Sequence, residues 1–216
     1  MLRVNEIFHS VQGEGQNVGL NTIFLRLSGC NLQCEWCDTK YHKDAKEMSA
    51  TEVAKEIMMY PSLNLTITGG EPLIQQKELI SLGQLVNHIF SVETNGTIIP
   101  DKKLSKRVSY WAVSPKLGNS DAGSLLIRIN YDALEAFNKE KAIFKFVVNN
   151  LDDIKEIQFL QDQIQIPASR IYLMPEGTDP KTLNEKSIWL VEQCKKFGYN
   201  FSPRVQVLIW GPKRGV

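Results

Sequence analysis

Three of the four cysteines lie on one short stretch, at Cys30, Cys34 and Cys37, with the spacing C-x3-C-x2-C. They come directly after the apolar, β-branched run 22–28, which predicts a strand. Three thiolates on one loop can converge on a single centre, and soft sulfur ligands favour an iron–sulfur cluster, zinc or copper(I). Cys194 lies far along the chain on the apolar face of a predicted helix, where we expect a small core residue. We therefore expect a metal centre in the loop that follows the strand.

The cysteine spacing alone leaves the kind of metal centre open. Fully ligated iron–sulfur clusters usually take four cysteines, so three on a four-iron cluster would leave one iron open to an outside molecule, as a catalyst requires. A structural zinc site is the main alternative, because Asp38 or His42 could supply a fourth ligand. A disulfide is the less expected use, since clustered cysteines in cytosolic chains are more often metal or catalytic sites.

The composition is that of an ordinary soluble globular protein, with 43% hydrophobic and 23% charged residues in a chain of 216. This length fits a single domain over residues 1–216, because no linker-like segment divides it. The formal net charge of +1 gives no general attraction to nucleic acid or to membranes. Residues 1–20 lack the pattern of a signal peptide, and no apolar run approaches membrane-spanning length. We therefore expect a cytoplasmic protein, in a compartment where thiols stay reduced.

Strand-like and helix-like segments alternate along the chain. The predicted strands are residues 4–8, 22–28, 63–68, 90–96, 110–116, 142–148, 170–174 and 204–210, and the predicted helices are residues 49–60, 75–88, 132–140, 151–162 and 182–197. Such alternation is typical of parallel βαβ units, and about six units fall short of the eight in a complete barrel. The sequence therefore predicts an α/β fold with a parallel sheet, an incomplete (β/α)6-like partial TIM barrel in a single domain.

Polar residues and glycines follow the carboxyl ends of the predicted strands. These residues are Cys30, Gly70, Glu71, Asn95, Ser114, Lys116 and Glu176. In parallel α/β sheets this rim is where ligands bind. Arg26 differs, because it lies inside a predicted strand between Leu25 and Leu27. It faces either solvent, the usual environment of an arginine, or a polar barrel interior.

Seven short segments of the chain resemble one enzyme family when they are taken together. They are SVQGEG at 10–15, RLSGC at 26–30, WCDT at 36–39, TGGEP at 68–72, ETNG at 93–96, SPK at 114–116 and WGPKRGV at 210–216. The spacing C-x3-C-x2-C is the signature of the radical S-adenosylmethionine superfamily. Within that superfamily, the full set resembles the 7-carboxy-7-deazaguanine synthases from one end of the chain to the other.

This resemblance implies a lyase that converts 6-carboxy-5,6,7,8-tetrahydropterin into 7-carboxy-7-deazaguanine and ammonia by a radical ring contraction. The reaction belongs to the biosynthesis of 7-deazapurines such as queuosine. The implied cofactors are a 4Fe-4S cluster, S-adenosylmethionine and Mg²⁺. The implied partners are the small pterin substrate, a second copy of the chain in a homodimer, and a flavodoxin-like or ferredoxin-like reductant.

The resemblance also assigns roles to residues of this sequence. The cluster ligands would be Cys30, Cys34 and Cys37, and the Mg²⁺ ligand would be Thr39. The predicted S-adenosylmethionine contacts are Gly70, Glu71, Asn95, Ser114, Pro115, Lys116 and Glu176. The predicted substrate contacts are Val11, Gln12, Gly13, Arg26, Thr68 and Val216. Arg26 could pair bidentately with the substrate carboxylate. The pattern departs from the family at Met174, where a glutamine is expected before the proline.

Two other functions are compatible with the cysteine motif. The first is an activase that generates a radical on another protein, since such enzymes carry the same cysteine spacing on a similarly short chain. The second is a zinc-stabilised binding module without catalysis.

Overall fold

The computed structural model describes residues 1–39 and 44–216, and within them the chain forms one sheet with helices along it. The strands are β1 (Leu2–Val11), β2 (Asn21–Leu27), β3 (Lys46–Met48), β4 (Asn64–Gly69), β5 (Ile89–Thr94), β6 (Val108–Val113), β7 (Ile143–Val148), β8 (Ile171–Pro175) and β9 (Asn200–Phe201). The helices are α1 (Ala50–Ile57), α2 (Gln76–Gly83), α3 (Lys102–Ser105), α4 (Leu125–Arg128), α5 (Tyr131–Lys139), α6 (Leu151–Ile164), α7 (Pro180–Phe197) and α8 (Val205–Trp210).

The sheet is parallel through most of its width and open at both edges. Its order is β3-β1-β2-β4-β5-β6-β7-β8-β9. Every neighbouring pair from β2 to β9 is parallel, while β1 is antiparallel to both β2 and β3. Because β3 and β9 are separate edges of the described sheet, no pairing closes it into a full barrel. The predicted incomplete (β/α)6-like barrel is confirmed.

Local sequence signals for helix ends are also confirmed. Ser49 and Glu52 form the capping box predicted before α1, in which the Ser49 N–H donates to Glu52 Oε2 at 2.7 Å and the Glu52 N–H donates to Ser49 Oγ at 3.2 Å. Gly198 ends α7 with a φ of 71°, in the left-handed region that favours glycine.

Two predictions of secondary structure are wrong. Residues 204–210 were expected to form a strand because valine and other β-formers dominate them, but 205–210 form the helix α8. Its start is fixed by tertiary contacts, since the Val205 N–H donates to the Gly13 carbonyl at 3.0 Å, and such context overrides β-propensity. The helix expected to run to residue 88 ends at Gly83, because the Arg107 side chain donates hydrogen bonds to the carbonyl oxygens of Gly83 and Val86. The short strands β3 and β9 were not predicted.

The two faces of the strands have different surroundings. One face packs under the helices, and its residues include Leu25, Ile67, Phe144 and Phe146, all fully buried. Because side chains alternate along a strand, the intervening residues point to the other face. There the strands carry the polar and charged residues Arg26, Thr68, Glu93 and Lys145, which line a cavity. In the described part of the chain, no helix combines the length and apolar character needed to cross a membrane.

Candidate active site

A cavity of about 750 Å³ opens inside the partial barrel. Its wall comes from the inner faces of β1, β2, β4, β5, β6, β7 and β8, from the loops after them, from α8 and from the C-terminal residues 211–216. This volume lies within the range of ligand pockets in enzymes. The cavity therefore has the size for a small substrate and cofactor together.

The cavity wall brings together most residues that the sequence nominated. Those that line it are Val11, Gln12, Gly13, Arg26, Cys30, Cys34, Cys37, Thr39, Thr68, Gly70, Asn95, Ser114, Lys116, Glu176 and Val216. Glu71 and Pro115 are buried and do not line it. Met174, where the sequence departs from the family pattern, also lines the cavity. The nominated residues thus lie around one space, although their roles stay predictions.

The cysteine loop is anchored by hydrogen bonds to the backbone carbonyls of residues 119 and 120. The Glu35 N–H donates to the Ser120 carbonyl at 2.8 Å, and Trp36 Nε1 donates to the Asn119 carbonyl at 2.9 Å. These contacts hold the free, half-buried thiols of Cys30, Cys34 and Cys37 along the cavity. Cys194, in contrast, is buried in the core, as predicted.

Burial controls the ionisation of two of these thiols. It raises the pKa of both Cys30 and Cys34, and the Lys116 cation offsets this only partly. Lys116 Nζ donates to Ser114 Oγ at 3.0 Å and lies 5.5 Å from the centroid of the Trp36 ring. The two sulfurs are therefore protonated at neutral pH in the metal-free protein, so metal binding must release their protons.

Two consecutive glycines let the end of β4 lie directly against the end of β2 and the cysteine loop. A Cβ on Gly69, whose φ is 137°, would lie 2.1 Å from the Leu27 carbonyl oxygen. A Cβ on Gly70 would lie 2.0 Å from the Gly29 carbonyl oxygen and 3.0 Å from Cys30 Cβ. A side chain at residue 69 would collide with the end of β2 and one at residue 70 with the cysteine loop, so the close approach requires glycine at both positions.

Glu71 supports the wall from behind. Its side chain is fully buried and accepts hydrogen bonds from the Leu73 N–H (2.9 Å), Thr94 Oγ1 (2.8 Å) and the Asn95 N–H (2.7 Å). Burial raises the pKa of its carboxyl, and these bonds oppose that shift. Asn95 Nδ2 in turn donates to Asn31 Oδ1 at 2.9 Å, within the cysteine loop. Glu71 therefore positions Asn95 rather than facing the cavity.

We expect Glu71→Ala to lower the free energy of unfolding by at least about 2 kcal/mol, because each buried donor left unpaired costs roughly 1–3 kcal/mol. Chemical denaturation measures this change. Glu135→Ala is the matched control, since Glu135 is an exposed helical glutamate whose loss should change stability by less than about 0.5 kcal/mol. Normal stability with lost S-adenosylmethionine affinity in Glu71→Ala would instead indicate a direct cofactor contact.

Glu93 is a further wall residue that the sequence did not single out. It lies on β5 and accepts hydrogen bonds from Gln12 Nε2 at 3.1 Å and from Thr68 Oγ1 at 2.8 Å. Both donors were predicted to contact the substrate. A glutamate inside a predicted strand, between Val92 and Thr94, was the available signal.

Arg26 faces the cavity, so its solvent-exposed alternative is wrong. Its Nε donates to Glu6 Oε1 at 2.7 Å, and its guanidinium lies 5.8 Å from the centroid of the Phe8 ring. The Arg26 side chain is 17% exposed. Glu6 also accepts from Arg214 Nε, in the C-terminal segment, at 2.9 Å. Two guanidinium groups thus share one carboxylate beside the cavity.

A second cluster of charged side chains, which sequence reasoning missed, also lies in the cavity wall. Glu14 forms ion pairs with both Lys145 and Arg204. Burial alone would raise the pKa of the Glu14 carboxyl, but the two cations outweigh it and hold that pKa well below its ordinary range. Burial likewise opposes the charge on Lys145, yet Glu14 raises the pKa of the amine. Both side chains therefore stay charged at neutral pH.

The neighbourhood of Thr39 bears on the metal predictions. Thr39 is buried, lines the cavity and donates from Oγ1 to Asp38 Oδ1 at 3.1 Å. His42, the other candidate zinc ligand, lies outside the described residues. In 1–39 and 44–216, no three histidine, cysteine or acidic side chains are grouped closely enough to hold one metal ion. An iron–sulfur cluster differs from a single ion, because its cysteines bind separate irons around its surface.

Comparisons with known proteins agree with this geometry. The family model described as the radical SAM superfamily matches residues 25–210. The 7-carboxy-7-deazaguanine synthase of Pyrobaculum aerophilum is 37% identical, covering 99% of this chain and 97% of the relative. The enzyme of the same name from Hyperthermus butylicus is 36% identical, covering 98% and 94%. The crystal structure of QueE from Escherichia coli superposes with a TM-score of 0.74 at 26% identity, covering 94% of this chain and 93% of that one.

Proposed function

Because the chain belongs to the radical SAM superfamily and, within it, to the 7-carboxy-7-deazaguanine synthases, we propose that it converts 6-carboxy-5,6,7,8-tetrahydropterin into 7-carboxy-7-deazaguanine and ammonia. It is accordingly a lyase of the biosynthesis of 7-deazapurines such as queuosine. The observation that carries the proposal is the single cavity that holds the three-cysteine loop beside Gln12, Arg26 and Thr68.

The donor set suits a 4Fe-4S cluster with one open iron. Cys30, Cys34 and Cys37 would hold it, since they are free thiols on one anchored loop facing the cavity. Gly70 leaves room beside Cys30, where any side chain would collide with the loop. When bound, the reduced cluster and S-adenosylmethionine together supply a 5′-deoxyadenosyl radical. The thiols of Cys30 and Cys34 must first release their protons, because burial raises the pKa of both.

The residues around the cysteine loop would bind S-adenosylmethionine. Asn95, Ser114, Lys116 and Glu176 place amide, hydroxyl, ammonium and carboxylate groups on the wall. A carboxylate and an ammonium suit the charged amino-acid end of that cofactor. Glu71 and Pro115 would contribute from behind, Glu71 by fixing the backbone of Asn95.

The inner face of the barrel would bind the pterin. The predicted contacts are Val11, Gln12, Gly13, Arg26, Thr68 and Val216, all on the cavity wall. Gln12 and Thr68 are held in place by hydrogen bonds to Glu93. The Arg26 guanidinium already binds a carboxylate, that of Glu6, and the substrate carboxylate would bind this same group.

Thr39 would contribute an oxygen ligand to Mg²⁺. Mg²⁺ takes oxygen ligands and keeps several waters, so one threonine oxygen can be completed by oxygens of the substrate. A single neutral protein ligand binds Mg²⁺ weakly, so the metal and the pterin should each tighten binding of the other.

The assembly and location of the enzyme form the rest of the proposal. We propose one domain over residues 1–216, a homodimer, and reduction by a flavodoxin-like or ferredoxin-like protein, without nucleic acid or membrane partners. The net charge of +1 supports the last part. The free thiols support a cytoplasmic location, because reducing conditions preserve them.

Incubation of the anaerobically reconstituted protein with S-adenosylmethionine, reductant and the tetrahydropterin tests the function. Mass analysis should find 7-carboxy-7-deazaguanine and 5′-deoxyadenosine. A brown protein that contains iron and sulfide rules out the zinc-stabilised binding module. Cleavage of S-adenosylmethionine without any deazaguanine product would contradict the proposal and favour the radical-generating activase.

A further inference from the structure

The guanidinium of Arg204 joins three separate loops of the cavity wall. Nε donates to Glu14 Oε1 at 3.1 Å, Nη1 donates to the Gly177 carbonyl at 2.6 Å, and Nη2 donates to Asp38 Oδ2. Glu14 follows β1, Asp38 follows β2, and Gly177 follows β8. The Arg204 side chain is only 9% exposed. One buried group therefore sets the positions of three loops that were predicted to contact different ligands.

The hydrogen bond from Thr39 to Asp38 extends this connection. Thr39 Oγ1 donates to Asp38 Oδ1 at 3.1 Å, while Arg204 holds the other oxygen of the same carboxylate. A hydroxyl has one proton and two lone pairs, so a hydroxyl that donates to a carboxylate directs its lone pairs elsewhere. That is the orientation in which a threonine oxygen can accept a hard cation. The bond from Arg204 fixes the orientation of the Asp38 carboxylate. That orientation in turn decides where the lone pairs of the Thr39 hydroxyl point.

Arginine is suited to this connection because its planar group presents several donors in fixed directions. A lysine would keep the charge but could not hold three acceptors in the same geometry. The charges also balance, since Glu14 and Asp38 face Arg204 and Lys145. Glu14, Asp38, Lys145 and Arg204 therefore form one charged frame, in which each member has a hydrogen-bond partner and the Asp38 side chain is 49% exposed.

We propose that Arg204 is a positioning residue for the metal site, which orients the Thr39 hydroxyl through Asp38 and fixes the turn of Gln12 and Gly13 through Glu14. Metal and pterin then bind as a unit. The inference rests on the proposed function, because it involves the Mg²⁺ and pterin of that reaction. Arg204 lines the cavity, and in this role it acts through the carboxylates of Asp38 and Glu14.

Calorimetry of the holoenzyme without reductant, so that no turnover occurs, tests this role. Mg²⁺ is titrated into protein saturated with S-adenosylmethionine and the tetrahydropterin. Loss of a group that orients a metal ligand typically costs about 10–100-fold in metal affinity, so we expect at least about a tenfold loss in Arg204→Lys. Thr39→Ala should show a loss at least as large. Iron content and the thermal unfolding midpoint are measured on the same samples.

Arg170→Lys is the matched control. Arg170 also binds backbone carbonyls, those of Asn138 and Ala142, but it does not line the cavity. Its Mg²⁺ affinity should stay within about twofold of the parent, as expected for a substitution away from the site. Because Arg204 acts through Asp38, the variant that combines Arg204→Lys with Asp38→Asn should lose no more affinity than the larger single loss.

Three results would overturn the inference. They are parent-like Mg²⁺ affinity in Arg204→Lys, additive losses in the double variant, and a parent enzyme whose pterin affinity does not respond to Mg²⁺. If Arg204→Lys does not fold, Asp38→Asn decides the question, because it removes the same link while Arg204 keeps Glu14 and Gly177. Failure of the proposed function would look different, as an absence of deazaguanine product from the parent enzyme.

Discussion

Replacing Cys30, Cys34 or Cys37 with Ala should abolish both cluster binding and cleavage of S-adenosylmethionine, whereas Cys194→Ser should retain both. The three sulfurs lie on one anchored loop beside the cavity, and each would bind its own iron. Among the described residues, no further cysteine lines the cavity to replace one of them. Loss of any one should therefore remove activity entirely. Iron and sulfide analysis and the yield of 5′-deoxyadenosine measure the outcome.

Cys194→Ser provides the matched control for the loss of a thiol. Cys194 is 5% exposed in the core, and its Sγ donates to the Asn200 carbonyl at 3.4 Å. Burial raises its pKa to about 11, so it remains an uncharged thiol. The serine should keep the hydrogen bond and cost about 1 kcal/mol of stability, within the usual range for a core change. Loss of the cluster in this variant would contradict the three-ligand assignment.

The parts of the site that sequence predicted best depend on short-range geometry. The spacing of Cys30, Cys34 and Cys37 requires a loop, and the glycines at 69–70 let the backbone approach its neighbours more closely than any other residue would. The period of strands and helices then predicts where the strand ends meet, because parallel strands bring their carboxyl ends to one rim. These signals nominated the rim residues and the incomplete barrel, whereas the pterin contacts and Thr39 were nominated by the resemblance to the family.

The charged frame around Glu14 and Arg204 was missed because it depends on contacts between residues far apart in the chain. Lys145 lies within the fully buried strand β7, and this was the one available signal, since lysine is seldom buried without a partner. Its partner Glu14 is 131 positions away along the sequence. Arg204 was assigned to a strand from the β-formers after it, and only the packing of α8 against the turn at Gly13 reveals its place.

Arg26→Lys should weaken pterin binding by roughly a hundredfold while slow, uncoupled cleavage of S-adenosylmethionine continues. The guanidinium on β2 faces the cavity and already binds a carboxylate through Nε, at 2.7 Å from Glu6 Oε1. Lysine keeps the charge but lacks the planar fork that pairs bidentately with a carboxylate. The lost charge-assisted pair costs on the order of 2–3 kcal/mol, equivalent to that change in affinity. Calorimetry with the tetrahydropterin measures it directly.

Two further variants separate substrate binding from a purely structural pair between Arg26 and Glu6. Glu6→Gln removes the carboxylate that competes for Arg26, so it should bind the pterin at least as tightly as the parent does. A purely structural pair would instead give both variants the same loss of stability and unchanged pterin affinity. Arg107→Lys is the control, because Arg107 stacks on Phe90 at 4.0 Å and does not line the cavity. It should bind the pterin normally. Parent-like affinity in Arg26→Lys would mean that the substrate carboxylate is held elsewhere, with Arg26 serving only to fix Glu6 and, through it, Arg214 of the C-terminal segment.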